Sequence, residues 1–276
     1  EIYTGFEAAS DEEKARETEA YTNAKAYYDS VFKGCESSCL PPKSPERDVG
    51  GAATLKRTAR TEADTVISYC RKNKVTFNAF FNAAFGYTLS KFGQFDDAVY
   101  TTIYNGRSDS RLMSSVTMLV KTLPVLIHTS GSRTVSSLIH ETQQQLLDSM
   151  TNDIFSFAEI SSAYGIHSDI IFAYQGDDFI FDNLCGEKAE LVNITPAGTK
   201  APIVLNVYLR NGKYELTADY RSDMFNKELI ESILDVFDLV LKGFTEKEMA
   251  EDIGLLSEKA EARLYEINNT ERFFEN

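Results

Sequence analysis

Few side chains in this sequence stand in patterns that do chemistry. Three histidines are present, at 128, 140 and 167, and none has a His, Cys or carboxylate at metal-ligand spacing with a matching partner. His128 closes an apolar run and His140 falls beside the apolar face of an amphipathic stretch, so both read as boundary residues. His167, in Tyr164-Gly165-Ile166-His167-Ser168-Asp169, sits in a loop leading into an apolar run. It is the one histidine placed to lie near a site. Cys35 and Cys39 form a lone CxxxC, and Cys70 and Cys185 add no second pair. That spacing fits reduced cytoplasmic thiols rather than zinc or the disulfide framework of a small secreted fold. Neither a GxGxxG after a strand nor a GxxxxGK[ST] is present, and there is no GxSxG elbow.

The stretch from Ala98 to Ile127 says more. Val99 to Tyr104 is β-branched and aromatic and closes on Asn105-Gly106-Arg107; Val116 to Ile127 is again apolar, interrupted by Lys121. This reads as two largely buried strands joined by a charged loop. Arg107 therefore stands at the end of a core strand. A cation there needs an anionic partner, or its burial costs on the order of several kcal/mol.

Composition sets the outer bounds. With 276 residues the chain holds one large domain or two modest ones. A formal charge of −14 leaves no basic stripe for phosphates and argues against nucleic acid and anionic membranes. No apolar run reaches the length of a membrane span, and Glu1 to Gly5 lack the regions of a signal peptide. The chain opens on Glu1 rather than Met, which suggests a piece of a longer polypeptide.

The elements that must carry Arg107 follow from periodicity. Ser10-Asp11-Glu12-Glu13 has the form of a capping box, predicting a helix to Phe32 that Gly34 stops. Residues 35–51 are a loop or linker rich in Pro, Ser and Gly. Ala52 to Arg60 fits a short strand, Thr61 opens a helix over Ala63, Val66, Ile67 and Cys70, and Thr76 to Phe92 fits a helix with Phe77, Phe80, Phe81, Phe85 and Leu89 inward. Such a stripe of rings is core material. Ser132 to Met150 is another amphipathic helix, and Asp169 to Gln175 a buried strand. Asp177 to Lys200 is irregular. Ile203 to Tyr220 carries the hairpin signal Asn211-Gly212, and Asn226 caps a long helix to Phe244. The charged tail from Glu246 holds a short helix opening at Ser257. Strands separated by helices, with one hairpin, predict an α/β or α+β layer fold with a mixed sheet covered by helices.

Taken in order, these patterns resemble the C-terminal half of a nonribosomal peptide synthetase condensation domain, of the chloramphenicol acetyltransferase-like superfamily. Val75 to Phe85 looks like the family's helix before its exchange of strands, and Val99 to Arg107 like its "IGTPVxGR" strand. Met118-Leu119-Val120-Lys121-Thr122-Leu123-Pro124 is similar to "FVNTLP", the most specific match. Asn152 to Phe157 resembles "QDxPFE", Ile171 to Gln175 the strand that follows, Tyr220 to Phe225 "YxxDLF". Leu255 to Glu271 resembles the start of a linker into an adenylation domain. The sequence departs from the family at Lys121, where Asn is usual, and at His167 to Asp169, which does not reproduce "RDxSRxPL". The family's catalytic HHxxxDG occurs nowhere in these residues.

The resemblance implies one lobe of the chloramphenicol acetyltransferase-like fold over residues 1–245, with a connecting helix at 10–34 and a loop at 35–51, and a linker over 246–276. It implies amide-bond formation between donor and acceptor held on carrier proteins, in the cytoplasm, with no catalytic residue and no bound cofactor or metal in this piece. The phosphopantetheine arms of the carriers would enter a tunnel for which Lys121, Thr122, Tyr174, Gln175 and His167 are wall candidates. Arg107 would pair with the Asp of the missing signature at the seam with the N-terminal lobe. The implied partners are that lobe, peptidyl carrier proteins, an adenylation domain and, through the exposed seam, a second copy of the chain. Two alternatives remain open: a noncatalytic docking or scaffold module, and a lobe of a coenzyme-A-dependent acyltransferase.

Overall fold

The computed structural model of the chain describes residues 5–36, 39–43, 51–107, 111, 117–176, 183–188 and 199–268. The amino-terminal helical stretch is two helices, α1 (Gly5–Ala15) and α2 (Glu19–Phe32). Ser10 lies inside α1, so the capping box expected there does not form. The break falls at Thr18, whose hydroxyl bonds back to the Ala15 carbonyl and competes with helix continuation. Gly34 follows α2 with φ +86, as the stop requires.

Next come β1 (Ala52–Glu62), α3 (Ala63–Asn73) and α4 (Phe77–Gly93). The helix read as opening at Thr61 begins two residues later, because β1 continues past a bulge to pair Glu62 with Lys213. Thr76 caps α4, its hydroxyl accepting from the Ala79 N–H. β2 (Asp97–Tyr104) and β3 (Lys121–His128) follow. The second strand starts at Lys121, and Val116 lies outside the described residues. Then come α5 (Val135–Thr151), α6 (Phe157–Tyr164) and β4 (Ile170–Gly176). Helix α6 was not legible in the periodicity, yet it carries a capping box at Ser156 and Glu159. A short pair, β5 (Asn183–Leu184) and β6 (Glu187–Lys188), lies in the stretch read as irregular. β7 (Ile203–Arg210) and β8 (Lys213–Arg221) form the expected hairpin, with positive φ at both Asn211 and Gly212 as a type I′ turn needs. α7 (Lys227–Glu246) and α8 (Glu258–Asn268) complete the order.

One sheet organises the lobe, in the order β1-β8-β7-β4-β2-β3. β2, β4 and β7 run parallel, and β3, β8 and β1 are antiparallel to their neighbours. The sheet is therefore mixed, as predicted. On one face α4 and α7 bury the rings of the Phe stripe: Phe85 stacks on Phe172 at 4.7 Å and meets Phe237 edge-on at 5.7 Å. Gly86 permits the close approach of α4 to β3, since a Cβ there would meet Ile127 at 2.2 Å. A second cluster lies around Val99 and Leu126, where α2 and α6 bring Tyr28, Phe32 and Ile160 onto the opposite face.

The chain does not leave the lobe at Glu246. Val135 donates to the Glu248 carbonyl and Ala250 to that of Arg133, each at 2.9 Å, and Tyr87 donates to the Ala250 carbonyl at 2.6 Å. Ile253 is buried against Gly243. The first part of the stretch read as a linker, residues 246–253, is thus held to the lobe by backbone pairing, which the side-chain pattern does not encode. Beyond it Leu264, Tyr265 and Ile267 of α8 are exposed.

Candidate functional site

The parallel strands β2, β4 and β7 end at the same edge of the sheet, where β3 begins. That edge collects most of the residues singled out from the sequence. Tyr104 pairs with Lys121 and Ile103 with Thr122; Tyr174 and Gln175 lie at the end of β4. Arg107 follows three residues after the end of β2.

Arg107 is half-buried, its backbone N–H donating to the Asn105 side chain at 3.0 Å and its guanidinium to the Thr117 carbonyl at 3.1 Å. Gly106 before it has φ +69, and a Cβ there would stand 1.9 Å from the Leu119 carbonyl oxygen. The glycine lets the two ends of the loop touch, which sets where Arg107 points. Close by, Met118 and Val120 are exposed, at 82% and 52%.

Lys121 turns to the segment after α5. Its Nζ lies 3.3 Å from both the Asp153 carbonyl and Asp153 Oδ1. This links the stretch similar to "FVNTLP" with the stretch resembling "QDxPFE", a relation no local pattern reveals. Two residues on, Phe155 is buried against Tyr21 and Tyr28. Tyr21 donates to Glu159 Oε1 at 2.7 Å, joining α2 to α6. Burial works against the ionised form of Glu159, but hydrogen bonds from the Ser156 hydroxyl, Tyr21 and the Ser156 N–H outweigh it and hold the carboxyl below its ordinary range.

Tyr174 lies on the helix-covered face, stacked on Phe81 at 4.8 Å with the rings 10° from parallel. Burial raises the pKa of the neighbouring Tyr214 hydroxyl well above normal, and Tyr174 adds to the effect. Gln175 lies on the other face and donates to Asn206 Oδ1 at 3.1 Å. Asn206 was missed in the sequence, although a lone Asn within the apolar run Ile203 to Leu209 is a legible signal.

His167 does not join this group. It precedes β4, whose seven residues carry the chain about 20 Å from one end of the sheet to the other. The exposed ring therefore stands at the far end from Gln175, apart from the other four wall candidates. His128 faces Asp97 Oδ1 at 2.7 Å and His140 the Ser136 carbonyl at 2.8 Å, both exposed. Among the described residues no three His, Cys, Asp or Glu side chains are grouped to hold a metal, and no helix is long and apolar enough to cross a membrane.

The described residues thus form an α/β fold, a six-stranded mixed sheet covered by helices with its parallel strands ending at one polar edge. Residues 7–265 match the Condensation domain family, and the chain belongs to it. Bacitracin synthase 3 of Bacillus licheniformis is 22% identical over 275 residues, covering 94% of this chain and 4% of that protein. The solved structure of SgcC5 from Streptomyces globisporus is similar with a TM-score of 0.74 at 19% identity, over 90% of this chain and 60% of that one. The X-domain from teicoplanin biosynthesis, solved in complex with OxyB, gives 0.71 at 15% identity, over 90% and 58%. The chain thus spans a few per cent of its curated relative and about three-fifths of these solved chains. The resemblance read from the sequence, to the condensation domain and its chloramphenicol acetyltransferase-like fold, is borne out.

Proposed function

We propose that this chain is the carboxy-terminal lobe of a condensation domain that joins a carrier-bound acyl donor to a carrier-bound amine. The observation that supports it is the gathering of Arg107, Lys121, Thr122, Tyr174 and Gln175 at one edge of the sheet in a member of this family. In the reaction the acceptor amine attacks the donor thioester carbonyl. The carbon–nitrogen bond forms, the thiolate leaves, and the amine gives up a proton. The residues of this lobe supply position: they wall the channel, exclude water and align the phosphopantetheine arms of the carriers. Alignment of this kind is worth about 7–11 kcal/mol of barrier. In this reading Arg107 braces the seam against the Asp of an HHxxxDG motif on the other lobe, and the His of that motif handles the amine.

The test mixes the 276-residue protein with loaded donor and acceptor carriers and follows product by mass spectrometry. It is repeated with the chain joined to a lobe bearing HHxxxDG. Product only from the joined protein supports the reading; equal product from the chain alone overturns the division of labour. A second reading is a noncatalytic docking module, favoured by the likeness to an X-domain solved in complex with OxyB. It is supported if the joined protein binds carriers and forms no product.

A further inference from the structure

We infer that the outer edge of β1 is shaped to pair with the same edge of a second copy of the chain, and that Lys56 is the residue that keeps two copies apart. β1 and β3 are the outer strands of the sheet. Two bonds fix which way the β1 ladder faces: the Arg221 N–H donates to the Pro202 carbonyl and the Ser222 N–H to the Gly51 carbonyl, each at 2.9 Å. Successive residues of an antiparallel strand bond to alternate sides. Odd positions of β8 therefore bond toward β7 and even positions toward β1. Tyr220 lies opposite Ala53, Ala218 opposite Leu55 and Leu216 opposite Arg57, so the odd residues of β1 take these bonds. Thr54, Lys56 and Thr58 turn their N–H and C=O outward.

The edge of β3 is closed from within the lobe. Gln145 Oε1 accepts from the Leu126 N–H at 2.9 Å, and its Nε2 donates to the Leu126 carbonyl at 3.0 Å. Pro124, in the same phase, has no N–H to offer. On β1 the register shifts between Thr58 and Glu62, and within that bulge the Arg60 N–H is spent on Asp238 Oδ1 at 2.8 Å. Before the bulge the edge is open. Among the described residues nothing bonds to the outward N–H and C=O of Thr54, Lys56 and Thr58, and the side chains of Lys56 and Thr58 are exposed.

Residues 54–58 are their own antiparallel complement. When two copies are centred on Lys56, Thr54 of each faces Thr58 of the other, a favourable cross-strand pair. Lys56 then faces Lys56, with Cβ atoms about 5 Å apart. Sliding one strand by two residues leaves the two lysines diagonal neighbours, about 7–8 Å apart. The neighbouring cations are already neutralised, Arg57 by Asp235 and Arg60 by Asp238. Among the described residues Lys56 makes no ion pair. Two copies would thus bring together two uncompensated ammonium groups, and like charges opposed across a ladder disfavour pairing. A carboxylate at this position in one copy turns the same contact from repulsive to attractive.

The experiment compares the full chain, its Lys56→Glu variant and an equal mixture of the two by sedimentation equilibrium, with amide hydrogen exchange followed residue by residue. Neither protein alone should pair through this edge, because like charges meet in both. The mixture should associate about 10-fold more tightly than either component, and Lys56→Thr should associate by itself. Pairing at this edge slows exchange at the Thr54 and Thr58 amides and leaves those of Ala53, Leu55 and Arg57, already bonded to β8, unchanged. Lys72→Glu on α3, mixed with wild type, should give no such gain. A mixture that associates no more tightly than its components overturns the inference, and so does association that leaves Thr54 and Thr58 exchanging as before. Wild-type chains that protect these two amides by pairing on their own overturn the role of Lys56.

Discussion

Lys121 and Asp153, 32 residues apart, meet at the start of β3 with Nζ 3.3 Å from Oδ1, both side chains partly buried. The pair fastens the turn after α5 to the polar edge of the sheet. Asp153→Ala leaves the ammonium among partly buried groups and is expected to destabilise the fold by about 1–2 kcal/mol. Urea unfolding measures it, and Lys121→Met in the Asp153→Ala background should cost less than it does alone. Additive costs would show that the two side chains do not interact.

Gly106→Ala meets two obstacles, a positive φ and a carbonyl oxygen 1.9 Å from the added carbon. The expected loss is at least about 1–2 kcal/mol. Because Arg107 is the next residue, joining of donor and acceptor by the two-lobed protein should fall more than stability alone explains. Unchanged unfolding midpoints would contradict the geometry.

The Tyr21–Glu159 contact has a stated pH dependence. The Glu159 carboxyl is held below its ordinary value in the folded protein. Its contribution is therefore complete above the unfolded pKa of about 4.3 and is lost as pH falls through the lower folded value. The hydrogen bond to Glu159, then burial, raises the Tyr21 hydroxyl, so its share is complete below the unfolded value of about 10 and is lost as pH rises through the folded one. Glu159→Gln should flatten the acid limb of a stability profile. An acid limb identical to wild type would rule out this carboxyl as its source.

Asp238 gives the opposite sign. It is 1% exposed on α7, with Oδ1 accepting the Arg60 N–H at 2.8 Å. Burial raises its pKa, only partly offset by the Arg60 N–H and the charges of Arg60 and Arg57. The ionised form is disfavoured in the fold, so wild type gains stability relative to Asp238→Asn as pH falls through the raised pKa toward the unfolded 3.9 or so. Unfolding of both proteins at pH 7 and pH 5 checks this. A gap that widens in favour of Asp238→Asn at the lower pH would refute the raised value.

What the sequence determined by itself is what local chemistry controls. Asn211-Gly212 specifies a turn because both residues tolerate positive φ, the Phe stripe of α4 specifies a buried helix, and Gly34 specifies a stop. The order of short patterns also sufficed to place the chain in its family, since it reflects the order of elements. Relations between distant segments were decided only in three dimensions. The direction of β4 puts His167 at one end of the sheet and Gln175 at the other, although eight positions separate them. Strand pairing brings Gln175 to Asn206 across 31 positions, and folding brings Lys121 to Asp153 across 32. The charged tail is held by backbone hydrogen bonds at Glu248 and Ala250, to which side-chain hydrophobicity is blind. Register, strand direction and main-chain pairing depend on which segments find each other, and no window along the chain contains both partners.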